Sequence, residues 1–173
     1  MLHTRLDELV NSSCLGDELR LGRLLTIHYD ALTLLVPALE RAGAEHVCPG
    51  WEGRSRLAAL EEDLRALDTP PNRNPANPPL FVREPETWGA LYAVEGSRLG
   101  NRTILRRVME CGSEGERRAT RFLAHGLEDR IAWGGFLAWL DDLQYCGEAF
   151  ELAVLGAERV FETYLDSAAR YSG

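Results

Sequence analysis

Hydrophobic positions along this chain recur at three- and four-residue steps, the period of helices buried on one face. Leu2, Leu6, Leu9 and Val10 form such a stripe on a short opening helix, and Asn11–Gly16 interrupts it. Asp17 is suited to cap a second helix, in which Leu21, Leu24, Leu25, His28, Leu32, Leu35 and Leu39 recur. Pro37 should kink it, and Gly43 with Pro49-Gly50 marks a turn. Leu57, Leu60, Leu64 and Leu67 define a third helix. Thr69–Pro79 holds five of the eight prolines and three asparagines, so it should be an extended loop. Pro85 suits the first turn of a long helix running to about Cys111. Further helices are expected over about Glu114–Ala124, Leu127–Leu143 and Glu148–Arg170. Few stretches alternate with period two, so the pattern predicts an all-α fold.

Length and charge narrow the picture. At 173 residues the chain fits one domain, residues 1–173, and a domain of that size needs no disulfide or metal staple. The balance of 19 basic and 27 acidic residues gives a formal net charge of −8. That argues against a nucleic-acid binder or a protein held on an anionic membrane. Every basic residue is Arg, which excludes a lysine Schiff base or a phosphate-loop lysine. Cys14, Cys48, Cys111 and Cys146 make no C-x-x-C pair and read as reduced thiols. With no basic-then-apolar leader and no spanning apolar run, a cytoplasmic location is the expectation.

Candidate chemistry concentrates in two places. His3 and Asp7 are four residues apart and would share a helical face. Asp7 could then fix the tautomer of His3 and leave its Nε2 free as a ligand; the plainer reading is an exposed ion pair. His28 lies on an apolar face and reads as a packed, hydrogen-bonded core residue, while His46 and His125 read as surface or cap residues. The second place is the stretch Gly96-Ser97-Arg98-Leu99-Gly100-Asn101. An interior helical glycine costs about 1 kcal/mol relative to Ala, and Gly96 and Gly100 fall on one face. Such a face either admits a neighbouring helix closely or lets a flat group approach bare backbone. The adjacent acids Glu61-Glu62 and Asp141-Asp142 read as solvated faces, and no H-E-x-x-H or nucleophile-elbow motif is present.

The segment LYAVEGSRLGNRTILRRV resembles the distal helix of bacterial heme oxygenases, and LHTRLDEL resembles their proximal helix. RSRLAALEEDLRAL, WGGFLAWL and AVLGAERVF are similar to further helical blocks of that family, so the resemblance covers nearly the whole chain. It is especially like the biliverdin-producing enzymes that accompany bacterial phytochromes. The resemblance implies a multihelical bundle with heme sandwiched between proximal and distal helices. It implies His3 as the iron ligand, Asp7 as its supporting carboxylate, and Gly96 and Gly100 as the distal glycines. Ser97 would help to hold a distal water network, Asn101 follows Gly100 at the distal pocket, and Arg130 is the nearest candidate partner for a heme propionate. The implied reaction opens heme to biliverdin, carbon monoxide and ferrous iron, using oxygen and electrons from a ferredoxin or a reductase. The alternative within the same fold is a heme- or tetrapyrrole-binding protein that does not turn over.

Overall fold

The computed structural model describes residues 21–48, 51, 56–69, 76–127, 130–142 and 146–171. Within them the elements are α1 (Leu21–Arg41), α2 (Ala44–Val47), α3 (Leu57–Ala66), α4 (Glu84–Cys111), α5 (Glu114–Arg118), α6 (Arg121–Ala124), α7 (Arg130–Asp142) and α8 (Glu148–Ala169). No strand occurs among the described residues. The expected opening helix and the Asp17 cap lie outside them.

α1 forms the centre of the core because its apolar stripe is wide. Leu25, Ala31, Leu35 and Leu39 on it are wholly buried, together with Leu60 and Leu64 of α3, Leu91 of α4 and Phe122 of α6. The helix runs on through Pro37 to Arg41, since a proline so near the C-terminal end removes only one hydrogen bond from a turn already packed on the core. Gly43 then adopts φ +83° and reverses the chain. The one-turn helix α2 that follows was not expected from the sequence, where the segment reads only as a turn.

α4 begins one residue before the expected Pro85. The Glu86 carboxylate accepts from the Val82 and Arg83 amides at 2.7 and 2.9 Å, satisfying donors a helix start leaves open. The single helix expected over Glu114–Ala124 is two short ones. Ser113 and Glu116 form a reciprocal capping box on α5. The break before α6 comes from α3: the wholly buried Asp63 carboxylate takes the Phe122 amide at 2.8 Å. A continuous helix would have spent that amide on its own backbone.

α4 and α8 pack backbone to backbone. A Cβ at Gly89 would overlap the Ala153 carbonyl and lie 2.9 Å from the Ala153 Cα, and a Cβ at Gly156 would overlap the Glu86 carbonyl. At its far end α8 is tied to α1, where buried Asp30 accepts from Tyr171 Oη and from the Arg170 guanidinium, each at 3.1 Å. Cys48 is buried, and Cys111 and Cys146 are exposed; all three are free thiols. No helix among the described residues is long and apolar enough to cross a membrane.

Candidate functional site

One side of α4 carries Tyr92, Gly96, Leu99, Gly100 and Thr103 by helical periodicity. Its apolar members are uncovered: Tyr92 is 49% exposed and Leu99 61%. A Cβ at Gly100 would meet nothing within 4 Å among the described residues. At Gly96 it would touch only the far edge of the Trp133 indole, at 3.5 Å. Close helix packing in α4 is therefore the work of Gly89, and no described helix fills the Gly96–Gly100 face. An exposed apolar stripe interrupted by bare backbone is a surface shaped for something flat.

Aromatic rings border that face. Trp133 stacks obliquely beside Tyr92 with ring centres 5.8 Å apart, and Phe136 and Trp139 continue the row along α7. Trp139 ends against Trp88 of α4, at 3.5 Å. These rings act as spacers, so α7 stands off α4 where α8 does not.

Ser97 and Asn101 point about a quarter turn away from the bare face, into a buried polar layer. Ser97 Oγ donates to the Val94 carbonyl at 2.7 Å and accepts from Arg56 Nη2 at 2.9 Å. The same Arg56 nitrogen reaches the Val94 carbonyl at 3.1 Å, and the guanidinium lies 4.9 Å over the Phe122 ring. Tyr164 of α8 is also part of this layer; its hydroxyl lies 3.3 Å from His28 Nδ1. Burial pushes the Tyr164 phenol up, against the pull of Arg56. Burial, reinforced by Arg56, pushes His28 down to about 3, so it is neutral and can hold its place among Phe122 and Tyr164. His125, just past α6, is lowered by burial and then by Arg98 and Arg56. The Asn101 side chain is buried, and its amide nitrogen has no partner among the described residues.

The structure thus brings Gly96, Ser97, Gly100 and Asn101 together on α4 but divides them. Gly100 faces open space and Gly96 the edge of Trp133, whereas Ser97 and Asn101 face the interior. His3 and Asp7 lie outside the described residues. Arg130 opens α7, and its side chain lies outside them as well. Among the described residues no cluster of three His, Cys, Asp or Glu side chains is arranged to hold a metal. His28 is the hydrogen-bonded packing residue its apolar stripe suggests, and His46 is exposed. Sequence reasoning missed Arg56 and Tyr164. Neither has a local signal: an arginine just before an amphipathic helix reads as solvated, and a tyrosine on an apolar stripe reads as core.

The fold can be matched directly. The nitric-oxide- and carbon-monoxide-bound heme oxygenase from Neisseria meningitidis superposes with a TM-score of 0.74, over 98% of this chain and 90% of that one, at 21% identity. The chain has the heme oxygenase fold. In sequence it is similar to a heme oxygenase from Xanthomonas campestris pv. campestris (strain 8004), 37% identical over 112 residues. That stretch is 65% of this chain and 66% of the relative, just under two thirds of its length. No family model matches. The chain is thus similar to a bacterial heme oxygenase in sequence and has the fold of another, and the resemblance carried by the α4 motif and the all-α expectation both stand.

Proposed function

We propose that this protein is a heme oxygenase, which opens heme to biliverdin, carbon monoxide and ferrous iron with oxygen and external electrons. The observation that carries this reading is the bare face of α4 at Gly96 and Gly100, open and bordered by aromatic rings, in a chain with the heme oxygenase fold. The residues present fit the group. A macrocycle laid on that side would meet backbone at Gly96 and Gly100 and apolar surface at Tyr92 and Leu99, covering what is otherwise wet.

When bound, heme would supply both the iron that activates oxygen and the carbon skeleton that is cleaved. The chain's own residues do the rest. The missing side chains at Gly96 and Gly100 would let a bound macrocycle rest against bare helix backbone. His3 is proposed as the iron ligand, with Asp7 orienting it, and Arg130 as a propionate partner. Ser97 contributes from behind: its proton is committed to the Val94 carbonyl, so it holds the helix wall rather than reaching over the open face. Tyr92 and Trp133 exclude water at one edge. A ferredoxin or a reductase is proposed as the electron donor.

Hemin titration tests this reading. A sharp Soret band saturating at one equivalent, lost in His3→Ala, is expected. Ascorbate or a ferredoxin system in air should then convert that band to biliverdin absorption. A band that saturates but persists under reducing conditions would leave a heme binder without turnover. Absence of a saturable band would overturn the reading altogether.

A further inference from the structure

The buried arginine behind α4 is not accounted for by packing. Arg56 is 2% exposed, and its hydrogen bonds among the described residues go to two neutral oxygens, the Val94 carbonyl and Ser97 Oγ. Nη1, its other terminal nitrogen, is buried with no partner among the described residues. Glu95, the nearby acid, is ion-paired to Arg98 at 3.0 Å instead. Removing a guanidinium from water without a carboxylate in direct contact is costly, and an apolar side chain of similar size would serve a core better. What Arg56 does hold is specific. Val94 and Ser97 bracket the first residue of the bare segment, two positions before and one after Gly96. A helix is weakest at its glycines, because they gain most freedom when it loosens. Arg56 pins the helix from the opposite side at that point.

We propose that Arg56 is a positioning residue for the heme face: by holding the Val94 carbonyl and the Ser97 hydroxyl from behind α4, it fixes the backbone path at Gly96 and sets a buried positive charge one helix wall from the bare surface. The inference rests on the heme oxygenase reading for its functional meaning, but not for its mechanical part. A fixed cation close to a low-dielectric site favours whichever state carries more negative charge. Towards a bound heme it would favour the reduced form, raising the reduction potential of the iron and easing acceptance of the external electron. Phe122 keeps the cation in place, its ring lying beneath the guanidinium.

Two measurements on Arg56→Met, Arg56→Lys and Ser97→Ala test it. The first is amide exchange in the protein without added hemin. Arg56→Met should speed exchange in the segment 93–100 at least ten-fold and leave the α1 segment 24–35 unchanged. Both bonds leave the one nitrogen Nη2, at the tip of a side chain one atom longer than lysine; Arg56→Lys, which stops short of it, should lose protection there too, and Ser97→Ala should lose part of it. The second is the midpoint potential of the hemin complex, which should become more negative in Arg56→Met and stay near wild type in Arg56→Lys and Ser97→Ala. A merely structural arginine would raise exchange equally in both segments and leave the potential where it was; either result overturns the proposal. If Arg56→Met does not fold, full protection of 93–100 in both Arg56→Lys and Ser97→Ala would overturn it as well. If the wild type takes up no hemin, the heme reading fails, and the exchange arm still decides whether Arg56 holds the helix.

Discussion

Gly100→Ala should make the protein more stable and worse at holding heme. The position is in the interior of a 28-residue helix, with no described atom within 4 Å of the added methyl. Overpacking therefore contributes nothing, and what remains is the backbone term. Replacing an interior helical glycine by alanine is worth about 1 kcal/mol, chiefly by restricting the unfolded chain. For a domain of this length that corresponds to a rise of about 2–4 °C in Tm. Toward heme the sign reverses. A methyl standing about 1.5 Å off the Cα occupies the layer where a macrocycle would rest against backbone. The ring must retreat, losing many contacts of about 0.1–0.2 kcal/mol each. A ten-fold weaker hemin Kd, or about 1.4 kcal/mol, is the expected scale, and Gly100→Leu should lose binding or turnover outright. Urea denaturation without hemin and a Soret titration of the same preparations give both numbers. A destabilised Gly100→Ala would mean that the bare patch is packed against protein. A stabilised variant with unchanged hemin affinity and turnover would mean that the patch is not the heme face. Either outcome refutes the reasoning.

Two further outcomes follow from the packing and the buried layer. Gly89→Ala should have the opposite effect to Gly100→Ala on stability, a loss of about 3 kcal/mol or more in urea denaturation, because its methyl collides with the α8 backbone at Ala153, which no rotamer change can relieve; a loss below about 1 kcal/mol would show that α4 and α8 are not in backbone contact. His28 is neutral in the fold down to about pH 3 but gains a proton near pH 6.5 once unfolded. Its contribution is therefore complete above pH 6.5 and lost progressively as pH falls towards 3, with a slope of up to about 1.4 kcal/mol per pH unit. His28→Gln removes that slope, so wild-type and variant urea midpoints measured from pH 7.5 to 4 should converge as pH falls; parallel curves would contradict the burial of the imidazole.

Much of the fold is legible in the chain because it is set locally. The stripes of α1, α3, α4 and α8 follow from apolar spacing alone, and the ends of α4 and α8 fall within a residue of the expected Pro85, Cys111, Glu148 and Arg170. The Gly96–Gly100 pair, too, is visible as a costly feature that a helix would not keep without a use. The break between α5 and α6 is not local. Nothing in Arg118–Ala119–Thr120 forbids helix; a carboxylate 59 residues earlier, Asp63, takes the amide that would have continued it.

What the sequence determined by itself, then, is periodic: which segments are helical, which face of each is apolar, and where backbone is left bare. Only the tertiary structure decided which bare backbone touches protein and which does not. Gly89 and Gly96 look alike in a string of letters, about two helical turns apart on the same helix. One is filled by α8 and the other stands open beside Trp133, because the separation of two helices depends on the side chains between them. The same holds for Arg56 and Tyr164. Their charge and hydroxyl acquire a role from oxygens 38 to 41 residues away for the arginine and from His28, 136 residues away, for the tyrosine, distances along the chain that no local pattern can encode.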